Sequence, residues 1–400
     1  MENVYIVGAA RSPIASVKIG KKNKEIDSRE EPKNTSSISS LSPIELSRQV
    51  LEVLFERSGI NSSQIDHFSL GSVISQRVER DTMFQAPAKH ILRMACLDRK
   101  LDAVADDVSK ACSSSLAAIW QTAEVIMIGH ADLSIAGGVD MMSRQSNSVI
   151  IRGLTDPNTE QLMAVMADEK AKELGYTADA HDQYAFESFE RAREHTKQSS
   201  MVSIKDRTSG NILLDHDEVV DEYPAKRIVN LQRKRSILLF PDCGIMTFLN
   251  SSKYGDAAAF VALANMFAIN EYKLKPMARI LSYGACGGKE PKNFVIQPTE
   301  AINRALKRAN LSHQDIDFFE VNEAFPTTCL YLMQNDIPRE KINLWGGAIG
   351  TGHPIGATGT LLLVKTIDIL KSTGKRYAVV SLCNAIDEAT AMVIENIGGR

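Results

Sequence analysis

The chain has 400 residues, 44% hydrophobic and 24% charged, enough to bury more than one core and without the composition of a disordered or fibrous protein. Lys and Arg total 46 against 49 Asp and Glu, a net charge of -3 with no basic block, which argues against a nucleic-acid partner. Six scattered cysteines, no basic leader before an apolar stretch and no run of bilayer length predict a soluble protein of the reducing cytoplasm, without membrane insertion.

In chain order, "NVYIVG" reads as a first strand, and the mixed-charge run from Lys21 to Asn34 as a solvated loop. Pro43 to Gly59 follows as a helix with Leu46, Val50, Val53 and Leu54 on one face and Gly59 as its stop. "IDHFSLG" is a strand, about Ser115 to Ile128 an apolar helix, and "DLSIAGG" another strand. Then come the polar helix "YTADAHDQYAFESFERAREHTK" and the charged run "DHDEVVDEYPAKR". Further on lie the strand "IDFFEV", the helix "TGTLLLVKTIDILKSTG" and the strand "RYAVVSL". Short β-branched strands alternating with helices predict α/β layering in which parallel pairing dominates.

The segment "SPIELSRQVLEVLFERSGINSSQIDHFSLGS" is echoed by "QPTEAINRALKRANLSHQDIDFFEVNE" in order, type and spacing. Nearly constant offsets separate Asp66 from Asp317, Cys112 from His353, and Gly129 from Gly374, which implies a duplicated unit. The echo stops between Met141 and Asn250, so that stretch reads as an insertion, shaping a substrate site or serving as a flap.

Cys112, in "SKACSSSLAAIW", stands just before a helix whose free N–H groups and dipole favour a thiolate, although on this block alone a small core cysteine is equally compatible. His353 lies among Gly346, Gly347, Gly350, Gly352, Gly356 and Gly359, a turn bare enough for a ligand to approach, and no P-loop Lys-Ser/Thr follows it. Cys383, in "VVSLCNAIDEATAMVIE", ends a strand. Asn322 and Glu323 follow another strand, where an amide can serve an oxyanion or simply cap a helix. Two thiols and an imidazole at strand-to-helix turns point to acyl transfer through a thioester.

Four blocks, in order, carry a resemblance to a known family. They are "VGAARSP", the Cys112 block leading into "AGGVDMMS", "VNEAF", and "GGAIGTGHPIGATG" followed by a cysteine near the C-terminus. Along nearly its whole length the chain resembles the thiolases. The resemblance implies a duplicated, five-layered αβαβα core in two halves, residues 1–141 with 250–274 and residues 275–400. It also implies an inserted loop domain, 142–249, over the coenzyme A site, and a homodimer or homotetramer. Coenzyme A and acyl-CoA would be substrates, with no separate cofactor and no metal. The reaction implied is cleavage of 3-ketoacyl-CoA to acyl-CoA and acetyl-CoA, or the reverse Claisen condensation, within fatty acid metabolism.

By the same resemblance, Cys112 is the acylated nucleophile and His353 activates it and helps bind the thioester oxygen. Asn322 anchors an oxyanion-site water and Cys383 is the acid/base, while the backbone N–H groups of Cys112 and Ala385 form a second oxyanion site. Ser252 contacts the pantetheine arm, and Met163, Ala324 and Phe325 line the acyl and pantetheine tunnel. The chain departs from the family at "CNAIDEA", where glycines are usual: Ala385 is expected to crowd the thioester, and Asp387 and Glu388 to raise the pKa of Cys383. "MSRQSN" lacks the usual proline-histidine element, Leu162 replaces a histidine of many short-chain enzymes, Lys253 replaces a glycine, the loop before Leu41 is long, and Trp345 is unexpected. Two other readings remain. One is a ketoacyl-synthase-like condensing enzyme, suggested by "ACSSSL" but needing a second active-site histidine. The other is a non-catalytic acyl-CoA-binding homologue, suggested by the altered loop.

Overall fold

Along β1 (Val4–Arg11), Ile6 enters one core and Val7 another, as the two-residue period of a strand requires. The computed structural model describes residues 2–20, 34–73, 86–96, 102–223, 241–385 and 387–398, so the mixed-charge run lies, but for Asn34, outside the described residues. After β1 come β2 (Ala15–Ser16), α1 (Pro43–Ser58), β3 (His67–Gly71), α2 (Pro87–Ala95), β4 (Val104–Val108), α3 (Ser114–Met127) and β5 (Leu133–Met141). The intervening stretch carries α4 (Asn147–Gly153), α5 (Met163–Glu173), α6 (Ala178–Glu194), a small hairpin of β6 (Ile204–Lys205) and β7 (Ile212–Leu214), and α7 (Val219–Glu222). β8 (Gly255–Ala264) and α8 (Met266–Tyr272) follow. The chain closes with β9 (Ala278–Gly287), α9 (Gln297–Ala309), β10 (Phe318–Val321), α10 (Pro326–Gln334), α11 (Ala348–Thr351), α12 (Thr358–Thr373), β11 (Tyr377–Asn384) and β12 (Glu388–Asn396).

Strand order repeats. The first half runs β1-β8-β5-β3-β4 and the second β9-β12-β11-β10, after which Phe319 bridges in parallel to Ile342 where a fifth strand would lie. β1 pairs with β9 and joins the halves. Small signals repeat as well. The Asp66 carboxylate accepts from the N–H groups of Asp132 and Leu133, and Asp317 from those of Arg376 and Tyr377. Capping boxes at Asn61 and Ser312 precede β3 and β10, and Gly129 and Gly374 follow α3 and α12 in the left-handed region.

The layers follow from where side chains go. Leu46, Val50 and Leu54 of α1 and Ile91 of α2 pack on one face of the first half-sheet with Phe68 and Phe260. Leu116 and Ile119 of α3 and Leu363 and Ile367 of α12 fill the middle, with Val261 from one half and Val380 and Met392 from the other. Ile302 of α9 and Leu332 of α10 cover the outer face of the second half beside Phe319 and Val379. Among the described residues no helix is long and apolar enough to cross a membrane.

The expected dominance of parallel pairing does not hold. Among the described strands, the parallel ladders are β3 with β4 and β5, and β10 with β11, while the ladders that β1, β8, β9 and β12 form with one another and with β5 and β11 are antiparallel. Each half places its final strand between its first strand and its penultimate one, and the second does so through a tight β11–β12 hairpin that needs no crossover helix.

Close approach puts α3 on the end of β3. A Cβ added at Gly71 would lie 2.3 Å from the Ser115 nitrogen, so only glycine lets the helix start there. Gly71→Ala is expected to cost about 3 kcal/mol of stability, read as a lower thermal midpoint. An unchanged midpoint would show that the helix start can shift freely.

Candidate active site

Cys112 sits in a turn held from several sides. Ala111 before it adopts φ 46°, in the left-handed region unfavourable to a side chain. The Ser114 hydroxyl accepts from the Lys110 N–H at 2.8 Å and donates to the Ala111 carbonyl at 2.7 Å, winding the first turn of α3. The Ser113 hydroxyl meets that of Thr390 on β12 at 2.6 Å, and Lys110 pairs with Glu388, so the turn of one half is pinned to the last hairpin of the other.

His353 enters from the equivalent turn of the second half, between Gly352 at φ 105° and α12. Its backbone N–H donates to the Lys253 carbonyl at 2.8 Å. The ring Nε2 lies 3.3 Å from the Cys112 Sγ, and Nδ1 lies 2.7 Å from the Thr358 hydroxyl. That hydroxyl donates its one hydrogen to the Pro354 carbonyl at 2.9 Å, so toward the ring it accepts. The ring proton therefore sits on Nδ1, leaving the Nε2 lone pair facing the thiol.

Asn322 lies at the end of β10, fully buried, its N–H donating to Ser381 on β11. Its side-chain Nδ2 is 3.4 Å from His353 Nε2, and its Oδ1 is buried without a protein partner. It caps no helix, since α10 begins at Pro326. Cys383, in β11 opposite Ala389, is fully buried beside the Thr328 hydroxyl and within electrostatic reach of Cys112.

Burial sets the protonation states. It pushes the Cys112 thiol up to about 12, and the Asp140 charge adds to the rise. His353 is driven down to about 4 by the same desolvation. The helix start was expected to favour a thiolate, but in this enclosed site desolvation outweighs it, and the resting pair is a neutral thiol against a neutral imidazole. Cys383 is also raised, first by burial and then by the Cys112 sulfur. The carboxylates blamed for this in the sequence are occupied elsewhere: Asp387 accepts from the Glu290 N–H at 2.9 Å, and Glu388 holds Lys110.

A cavity of about 230 Å³ has Cys112, His353, Met163, Ser252, Ala324 and Phe325 all on its walls. Residues far apart in sequence thus meet as expected, and the Ser252 N–H donates to the Ala324 carbonyl at 3.1 Å, holding two of the walls together. Leu154, Leu162, Glu222, Tyr223 and Phe248 bring the stretch between β5 and β8 into the same cavity. Ala385 does not line it, but borders a smaller cavity that also reaches Cys112. The Lys253 ammonium lies over the Phe189 and Tyr223 rings at 5.4 and 5.0 Å and donates to the Leu249 carbonyl. Trp345 stacks on His195 with ring centroids 4.9 Å apart.

Three supports hold these turns, and of them the sequence reading named only Glu323, without its partners. Glu323 accepts from the Tyr184 hydroxyl, the Ser188 hydroxyl and the Asn343 amide at 2.8, 2.6 and 2.7 Å, tying the residue after Asn322 to α6 and the glycine loop. Lys365 is buried against Glu320 at 2.7 Å and donates to the Gly346 carbonyl at 2.6 Å. Asp140 accepts from the Gly356 N–H at 2.6 Å, anchoring the His353 turn to the end of β5. Among the described residues no group of three His, Cys, Asp or Glu side chains could hold a metal ion.

Comparison with known proteins agrees with this geometry. Family profiles described as "Thiolase, N-terminal domain" and "Thiolase, C-terminal domain" match residues 4–149 and 274–396. The chain is 30% identical to the cytosolic acetyl-CoA acetyltransferase of Gibberella zeae, over 98% of each chain. It is 31% identical to the acetyl-CoA acetyltransferase of Yarrowia lipolytica, over 98% of this chain and 96% of that one. Among solved structures, the Bacillus anthracis acetyl-CoA acetyltransferase superposes with a TM-score of 0.84 at 27% identity, covering 99% of both chains. Human mitochondrial 3-ketoacyl-CoA thiolase shares the fold, with a TM-score of 0.83 at 23% identity.

Proposed function

The chain belongs to the thiolase family, and from that premise we propose the following chemistry. It is a coenzyme A-dependent acyltransferase that cleaves 3-ketoacyl-CoA to acyl-CoA and acetyl-CoA, or condenses them in reverse, through an acyl group carried on Cys112. The observation that carries this reading is the contact between the Cys112 Sγ and the unprotonated Nε2 of His353, at 3.3 Å, between two residues that border a cavity large enough for a thioester.

In the cleaving direction the Cys112 sulfur attacks the 3-keto carbon while its proton passes to His353 Nε2. The bond between C2 and C3 then breaks with its electron pair going to C2. Cys383, kept protonated by burial, delivers its proton to that carbon, and acetyl-CoA leaves. Coenzyme A next loses its thiol proton to the Cys383 thiolate and attacks the acyl carbon on Cys112. The departing Cys112 sulfur recovers its proton from His353, and both thiols are restored. Protonated His353 donates to the developing oxyanion, and the partnerless Oδ1 of Asn322 can hold a water there. The backbone N–H groups of Cys112 and Ala385 would serve the thioester oxygen. Met163, Ser252, Ala324 and Phe325 would enclose the pantetheine arm and the tail.

Residues 142–249 are best read as the inserted loop domain, with 1–141, 250–274 and 275–400 forming the two halves. The repeated strand order supports that division. Coenzyme A and acyl-CoA are then substrates, with no further cofactor. A homodimer or homotetramer fits β4, which ends the described sheet and leaves Val104 63% exposed. The cytosolic Gibberella zeae relative supports the cytoplasm as location. A ketoacyl synthase reading needs a second histidine, and among the described residues none joins His353 on the cavity wall, while the intact thiol–imidazole contact weighs against a purely binding protein.

The test is thiolysis of acetoacetyl-CoA and longer 3-ketoacyl-CoA, followed by loss of substrate enolate absorbance. Absence of cleavage with all of them, by protein shown to be folded, would overturn the assignment. Thr358→Val should lower kcat about 10- to 100-fold, less than the ~10⁴ cost of an inverted tautomer, because Nδ1 loses its acceptor. Thr358→Ser should restore the rate, whereas equal loss in both variants would assign Thr358 to packing alone.

A further inference from the structure

The edge of β10 away from β11 is completed by a single side chain. Ile342 bridges to Phe319 in parallel, and the Asn343 N–H donates to the Phe319 carbonyl at 2.9 Å. Asn343 then adopts φ 49°, which turns its backbone out of line with a strand. Its carboxamide continues the pairing instead: Oδ1 accepts from the Val321 N–H at 2.7 Å, and Nδ2 donates to the Val321 carbonyl at 2.9 Å. A peptide group of a neighbouring strand would offer the same acceptor and donor.

The other Nδ2 proton goes to the Glu323 carboxylate at 2.7 Å. Val321 and Glu323 are the two neighbours of Asn322, whose own N–H donates to the Ser381 carbonyl and whose Nδ2 lies 3.4 Å from His353 Nε2. Asn343 is fully buried, so these bonds are made out of reach of competing water. One amide thus fixes the chain on both sides of Asn322, from a position that is not on the walls of the cavity bordered by Cys112 and His353.

Resting on the thiolase reading above, we propose that Asn343 is a positioning residue for the reaction and acts through Asn322. It holds the peptide before Asn322 and the carboxylate after it, and so aims the Asn322 carboxamide into the site beside His353. A misplacement of about 1 Å at such a group costs up to ~100-fold in rate. Asn343 touches neither sulfur nor imidazole, and its effect on turnover therefore exists only while the Asn322 amide is there to be aimed.

The test follows thiolysis of 3-ketoacyl-CoA by the full chain, with kcat and KM read separately. Asn343→Ala should lower kcat about 10- to 100-fold and leave KM for coenzyme A within about twofold, because the cavity walls are unchanged. In an Asn322→Ala background the same substitution should cost less than about twofold more, although the thermal midpoint falls alike in both backgrounds. Asn343→Asp keeps the volume but sets a second carboxylate against Glu323, and should lose kcat to a similar extent. Adding Glu323→Gln returns one amide and one carboxylate to that contact and should recover most of the rate. Parent kcat in Asn343→Ala or Asn343→Asp, or a full further loss on top of Asn322→Ala, would overturn the inference while leaving the reaction intact. If Asn343→Ala does not fold, the Asn343→Asp variants decide alone, and no recovery with Glu323→Gln would overturn it. A parent that cleaves no 3-ketoacyl-CoA would overturn the reaction assignment as well.

Discussion

Cys112→Ala is expected to reduce thiolysis by about 10⁴-fold or more, since the loss of the nucleophile beside His353 removes the covalent route. Intact mass should show an acyl adduct on the parent after mixing with acetyl-CoA and none on the variant. The protonation states add a sharper signature. With the thiol pushed up to about 12 and the imidazole down to about 4, the free enzyme holds its proton on sulfur across the working range. Alkylation of Cys112 by iodoacetamide should therefore climb with pH between about 6 and 10 without levelling off. A plateau below neutrality would mean that a thiolate–imidazolium pair already exists at rest. Activity should not fall with acid until pH nears 4, where His353 begins to hold a proton before substrate arrives.

Cys383→Ala should cost about 10³-fold in carbon–carbon cleavage, within the range of a general acid, because the C2 carbanion loses its proton donor. Acylation of Cys112 by acetyl-CoA should slow, because Cys383 also protonates departing coenzyme A, but it should still reach completion since coenzyme A can leave as a thiolate, so the adduct seen in the parent should still form. The contrast separates the two thiols: the first variant loses both adduct and turnover, the second only turnover. Equal loss of adduct in both would show that Cys383 shapes the cavity rather than moving a proton. Its burial beside Met163 and Phe325 makes packing the competing explanation, and Cys383→Ser, which keeps volume and a hydrogen-bond donor, distinguishes the two by partial recovery.

Much of this was legible in the residues because local chemistry and tertiary role agree. The helix expected at Pro43 to Gly59 spans Pro43–Ser58, with Ser42 accepting from the Glu45 N–H and Gly59 at φ 71°. Cys112 and His353 announce themselves through turns where burial of a reactive side chain needs bare backbone. β8 was illegible for the opposite reason. Its sequence "GDAAAFVALA" favours a helix by propensity, yet all ten residues are buried between neighbouring strands and packed helices, where small side chains let α12 come close. The direction of strand pairing failed likewise, since nothing local records which strand a neighbour will be. Partnerships such as Glu320 with Lys365, or Thr358 with the ring of His353, depend on how segments meet after folding and leave no spacing to read.

The equivalence of the two turns has a consequence for how such a centre can arise. Two separate half-length chains meeting about a twofold axis would be obliged to offer the same side chain from each, sulfur against sulfur or ring against ring. Once both copies share a single polypeptide, that obligation lapses, and one copy can specialise as attacker while its sister becomes the proton acceptor. The antiparallel seam between β1 and β9 is what keeps the two specialists in register.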